Sequence, residues 1–201
     1  MPDSTAIHKQ GDRFPPLVRA ALPADQQAAH DRIEQRRGRI PAPFVPLLAS
    51  PEVAEAFDKL SASLQHGSLP AMVREAVFLI TARRQRCAYL WINHVEKAMH
   101  AGLDESALAA LANDEIPAAP AAVASAGSFV KALLENHRIP QPLFEKTVKV
   151  LGLAGVVELT AFCGFAASVA MLLNMRQPAL PPGPPAPFAT AATAATTTAA
   201  R

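Results

Sequence analysis

From Pro51 onward, apolar side chains return at steps of three and four, the period of an amphipathic helix. Val53, Phe57, Leu60 and Leu64 set the first such stripe, with Ser50 as N-cap, Pro51 at the first helical position and Gly67 near the stop. Pro70 opens a second helix, on which Val73, Val77 and Ile80 share a side as far as the polar corner Arg83-Arg84-Gln85-Arg86. A third runs from about residue 87 to 101 and stops at Gly102. Asp104 then caps a short helix over 105–113, ahead of a Pro/Ala linker at 116–122. Helical spacing continues over 125–137, 141–151 and 156–175. No strand-like alternation with hairpin turns interrupts it, so the expected fold class is all-α.

The first 50 residues read differently. Pro15, Pro16, Pro23, Pro41, Pro43 and Pro46 restrict helix to short pieces such as 24–35, which predicts an extended arm over 1–30 that wraps the core. The helical domain then covers 31–178. Residues 179–201 are almost entirely Pro, Ala and Thr and predict a disordered tail, because they offer too little apolar surface to offset their ordering entropy.

The apolar run 156–175 is 20 residues long, enough to span a bilayer. It carries Glu158, and no second span accompanies it, which favours a buried helix over a membrane anchor. A single domain cannot easily surround a helix that is apolar on all sides, so the run predicts a homo-oligomer with Cys163 near an interface.

Composition narrows the function. The 201 residues carry a net charge of +2, which gives no strong field to attract nucleic acid or an anionic membrane. No secretory apolar segment follows Met1, which predicts a cytoplasmic protein. Two cysteines make no disulfide framework, and scattered histidines suggest no metal site; no cofactor is expected.

The candidate chemistry lies in one hairpin. Cys87, Trp91 and His94 sit four and three residues apart and share a helical face. Cys87 stands at a helix start near Arg83, Arg84 and Arg86, a setting that lowers a thiol pKa. Glu75 lies too far from Cys87 along a straight helix, but a reversal near Gln85 would bring it level with His94. A carboxylate, an imidazole and a thiol would then share a pocket. Each also has a structural reading: a buried thiol, a satisfied core histidine and a glutamate paired with an arginine. The chain's only Trp and only Tyr, Trp91 and Tyr89, fall within the same eight residues, which tilts the reading toward a site.

Arg74-Glu75, eleven residues, then Cys87-Ala-Tyr-Leu-Trp91-Ile-Asn-His94 and Ala101-Gly102-Leu103 resemble the signature of the carboxymuconolactone decarboxylase and alkylhydroperoxidase D superfamily. The likeness extends to Gly38-Arg-Ile-Pro41, Ser50-Pro51, Leu69-Pro70, Gly155-Val-Val-Glu-Leu159 and Leu172-Leu-Asn174. It implies an oligomeric, all-helical, cofactor-free protein with Glu75, Cys87 and His94 in the catalytic positions. Leu90 replaces the second cysteine of the alkylhydroperoxidase D pattern, so Cys87 has no local partner for a recycling disulfide.

Three functions follow as expectations. The first is a cofactor-independent lyase or isomerase acting on a small carboxylated lactone or enolisable acid. In it Glu75 orients His94, Cys87 assists proton transfer, Trp91, Tyr89 and Leu90 line the site, and Arg83 holds a carboxylate. The second is a Cys87-dependent hydroperoxide reductase using an external thiol, and the third a non-catalytic oligomer that binds small ligands.

Overall fold

A computed structural model describes residues 12–188. After a 3-10 turn at Arg19–Ala21 the chain forms α1 (Ala24–Arg37), α2 (Phe44–Leu47), α3 (Pro51–Gln65), α4 (Ala71–Arg84), α5 (Ala88–His100), α6 (Glu105–Ala112), α7 (Ala121–Asn136) and α8 (Gln141–Arg176). Among the described residues there is no strand, as the periodicity predicts.

α4 is the central element. Val73, Ala76, Val77, Phe78, Leu79, Ile80, Thr81 and Ala82 are all buried, so its burial extends around the helix and it packs against α5, α7 and α8 together. The reversal into α5 is tightly held. Gln85 N–H donates to Thr81 O and Cys87 N–H to Ala82 O, Arg86 takes a left-handed φ of 50°, and Asn174 Nδ2 donates to Gln85 O from the far end of α8. α6 begins as its sequence predicts, with the Asp104 carboxylate accepting from Ala107 N–H.

α8 is broken at Gly152, whose φ of 73° and ψ of 167° are essentially confined to glycine. The break falls between the two helices expected there. Beyond it, Val156, Leu159, Phe162, Cys163, Phe165, Ala166, Val169, Ala170 and Leu173 enter the core. The opposite stripe is exposed: Leu153 and Val157 at 62%, Met171 at 57% and Met175 at 44%. The helix is long and apolar enough to cross a membrane, yet half of its most apolar window is buried inside the protein. The one carboxylate beyond Gly152 has a structural task, since Glu158 Oε2 accepts from Ser68 N–H at 2.7 Å and Ser68 Oγ at 2.9 Å, fixing the loop before α4. Cys163 is 2% exposed within the subunit's own core.

Three expectations need correction. The helix expected over 24–35 forms as α1, but it crosses the boundary expected at residue 30 and so takes 24–30 out of the extended arm: with α2 and α3 it encloses a second small core of Ala29, Ile33, Phe44, Leu48 and Ala54. Phe57 joins this core to the main one by stacking on Phe165, ring centroids 4.7 Å apart. On α3 the expected stripe is only partly inside, with Val53 50% and Leu60 42% exposed. The helix is rotated by Asp58, 1% exposed and paired with both Arg36 and Arg37 of α1. The tail, too, starts later than composition suggests. Ala186 is buried and the Phe188 ring meets Trp91 edge-on at 5.8 Å, so residues 179–188 pack on α5; the rest of the expected tail lies outside the described residues.

Candidate active site

α4 and α5 run antiparallel about the corner at Gln85, so Glu75, ten residues before it, meets His94, nine after it. The His94 Nδ1–H donates to Glu75 Oε2 at 2.7 Å. A carboxylate oxygen can only accept there, which fixes the neutral tautomer with its proton on Nδ1. Nε2 is left with no hydrogen bond to any described residue and is not sealed from solvent. Phe78, one turn along α4 from Glu75, lies against the imidazole with centroids 4.0 Å apart.

Burial sets the electrostatics of this pair. His94 is 8% exposed, and desolvation lowers its pKa below the ordinary histidine value of 6.5; the hydrogen bond and charge of Glu75 oppose the shift, and Lys97 adds to it. The imidazole therefore rests neutral at pH 7, with an available base at Nε2 and a carboxylate behind it to stabilise the imidazolium.

The other expected residues separate. Trp91 and Leu90, three and four residues before His94 on α5, are 4% and 1% exposed and belong to the main core, with Tyr89 half-buried next to them. Cys87 is the N-cap of α5, about 10 Å from His94 along the helix axis, so the two do not touch. Its thiol is 1% exposed, and burial pushes its pKa up to about 11 although the amides of Leu90 and Tyr89 face the sulfur and pull it down. The expected lowering fails because the arginines point elsewhere: Arg84 pairs with Asp114 and Glu135, and Arg86 reaches Phe188 O. Arg83, expected to hold a substrate carboxylate, is likewise engaged, by Ala112 O and Asp114.

One cation missed in the sequence, Lys97, acts on the pair. Lys97 is three residues after His94 on α5 and feels the charge of Glu75. The spacing of Lys97 from His94 could have marked it. At neutral pH Cys87 is expected to alkylate far more slowly than a free cysteine, because a pKa of about 11 leaves only on the order of one thiolate in 10⁴. Iodoacetamide labelling of Cys87 at the rate of a free cysteine would contradict this.

Comparison places the hairpin among known folds. The debrominase Bmp8 in its apo form superposes with a TM-score of 0.64 at 17% identity, over 90% of this chain and 94% of that one. A cysteine-to-alanine Bmp8 in complex with 2,3,4-tribromopyrrole gives 0.65 at 16%, over 92% and 97%. An alkylhydroperoxidase AhpD core protein of Ralstonia eutropha JMP134, described as an uncharacterised peroxidase-related protein, gives 0.65 at 19%, over 82% and 89%. No curated protein matches the chain. Residues 51–132, which hold α3 to most of α7 and with them Glu75, Cys87 and His94, match the carboxymuconolactone decarboxylase family. The chain is thus similar to that family over residues 51–132, and it shares its helical fold with the three structures above.

Proposed function

We propose that the protein is a cofactor-independent lyase or isomerase that moves protons at carbon in a small carboxylated lactone or enolisable acid. The observation that carries this reading is the Glu75–His94 pair: a buried imidazole held at Nδ1 by a carboxylate, with Nε2 free of any hydrogen bond to a described residue. In an isomerisation Nε2 takes the proton from a carbon next to a carbonyl, the C–H electron pair passes to the enolate oxygen, and the same proton returns to the conjugated carbon. In a decarboxylation the C–carboxylate bond breaks, CO2 leaves, the electron pair flows to the lactone carbonyl, and a protonated Nε2 delivers its proton to carbon. Glu75 stabilises the imidazolium in both.

The test follows ultraviolet absorbance of 4-carboxymuconolactone and muconolactone. Turnover of either by the wild type, lost in His94→Ala, is the expected outcome; equal inactivity of both proteins on both compounds would overturn the reading. The names of the structural neighbours suggest thiol chemistry as an alternative, but a Cys87 thiol pushed up to about 11 weighs against it.

A second copy of the chain is proposed to cover the outer stripe of α8, where Leu153, Val157, Met171 and Met175 stand exposed without a charge among them. Val157→Glu is expected to lower the sedimenting mass of the assembly while the subunit stays folded, since Val157 is 62% exposed. Phe165→Glu would instead break the fold, because Phe165 is 5% exposed and packs on Phe57 and Phe78. A wild-type protein that sediments as a monomer at micromolar concentration would refute the interface.

A further inference from the structure

The end of α8 is pinned to the rest of the chain. Arg13 N–H donates to Arg176 O at 2.9 Å, the Arg176 guanidinium pairs with Asp12 and donates to Ala42 O at 2.8 Å, and Asn174 Nδ2 donates to Gln85 O at 2.7 Å. One residue later the fixation ends. Gln177 caps the helix in the left-handed conformation, φ 56° and ψ 53°, and Pro178 follows it, so the chain turns off α8 and cannot continue the helix.

Residues 179–188 then cross the first turns of α5. Leu180, Ala186 and Phe188 pack on the core cluster that holds Cys87, Trp91 and Ile92, while Pro182, Pro184, Pro185 and Pro187 face solvent. Contacts bracket the covered stretch. Arg86 Nη2 donates to Phe188 O at 3.4 Å, and the Phe188 ring meets Trp91 edge-on at 5.8 Å. The backbone passes Ile92 so closely that a Cβ on Gly183 would stand 2.8 Å from Ile92 Cγ2. Cys87 lies inside that bracket, one residue after Arg86 and one turn before Trp91, whose N–H donates to Cys87 O at 3.1 Å.

This strap is held differently from the helices beneath it. Five of its ten residues are prolines, which have no N–H to donate. Among the described residues its backbone makes no hydrogen bond to other backbone, and the Arg86 guanidinium is the one side chain that bonds it. Attachment therefore rests on one long hydrogen bond, a ring contact and the burial of a few apolar side chains. Prolines keep a detached strap stiff, so laying it down again costs little ordering entropy.

We propose that residues 179–188 are a hinged lid, with Gln177 as hinge and Phe188 as latch, and that its opening uncovers Trp91 and the Cys87 thiol together. Closed, it holds a cysteine at a helix N-terminus to 1% exposure. Open, the thiol meets solvent with the Leu90 and Tyr89 amides beside it. Cys87 is then a gated thiol, reached by small electrophiles only in the open form. The proton-transfer reading uses neither the strap nor the thiol, so the two stand or fall separately.

The test uses the full chain and two ways of lifting the strap. Phe188→Ala removes the latch, and Gly183→Val sets a side chain against Ile92 at a φ of 153° that side chains rarely adopt. Trp91 is the only tryptophan, so acrylamide quenching of its fluorescence reads its exposure. Iodoacetamide labelling of Cys87 is read by mass spectrometry on the tryptic peptide 87–97, apart from Cys163 in peptide 150–176. Both variants should label Cys87 roughly tenfold faster than the wild type and show stronger acrylamide quenching, with Cys163 labelling unchanged. Phe188→Tyr keeps the ring and should label at the wild-type rate. Wild-type quenching and labelling in both variants would overturn the lid, as would Trp91 exposed while Cys87 keeps its wild-type rate. Acceleration of Cys87 and Cys163 together would mean a loosened core and would overturn it as well.

Discussion

His94→Ala is expected to lower turnover by about 10³-fold while leaving the fold intact, because it removes the proton carrier from a position 8% exposed at the edge of the core. The pH profile supplies the more specific result. Burial holds the His94 pKa below 6.5, so the wild-type rate should titrate with a group below that value. Glu75 raises the His94 pKa against burial, so Glu75→Gln should move the same titration to still lower pH and cut the rate by about 10²-fold. The direction of the limb identifies the chemistry: proton removal from carbon loses rate as pH falls through it, and proton delivery loses rate as pH rises. Stability follows the same group. A folded pKa below the unfolded value means that the unfolded chain binds the proton first, so the contribution of His94 is intact above 6.5 and is lost as pH falls through the folded pKa. A rate that does not titrate below 6.5, or that titrates unchanged in His94→Ala, would remove His94 from the mechanism.

Phe162→Ala should be the most destabilising single change near the site. Phe162 is 0% exposed on α8, and its ring meets Phe78 edge-on at 5.0 Å, while Phe78 lies on His94 at 4.0 Å. Emptying that position should cost about 4 kcal/mol and lower the melting temperature by about 10 °C. The cavity also frees Phe78 to tilt away from the imidazole. Reduced desolvation should then let the His94 pKa rise toward 6.5, an effect that loss of stability alone would not produce. Phe162→Leu keeps much of the volume and should show both effects in weaker form. A variant that loses stability but keeps the wild-type His94 titration would break the proposed link through Phe78.

The contrast between these two positions explains how much the sequence reveals. The hairpin is legible because its signals are local: helix period, the polar corner at Arg83 to Arg86 and the similar distances of Glu75 and His94 from it. Residue types alone therefore bring carboxylate and imidazole together. Cys87 was misread because helix position and nearby arginines favour a thiolate, whereas its pKa is decided by burial under distant elements. The arginines were misread for the same reason, since their partners Ala112, Asp114 and Glu135 come from α6, the loop after it and α7. On α3 the apolar stripe pointed to Val53 and Leu60, but Asp58 was drawn inward by two arginines from α1, some 21 residues away in the chain. Composition likewise marked the Pro-rich segment as tail, although Phe188 finds a partner in Trp91.

The separation of the site residues along the chain also bears on the order in which the molecule assembles. Glu75 and His94 are 19 residues apart, so the loop that closes between them is short, and its entropic cost is met early. The contact that ties the N-terminal segment to the end of α8, Asp12 to Arg176, spans 164 residues and can form only after the core is in place. Amide exchange under native conditions should therefore protect α4 and α5 most strongly and release the Asp12 to Ala21 segment first. The Glu75–His94 pair would survive partial openings that already detach the chain's outer wrapping.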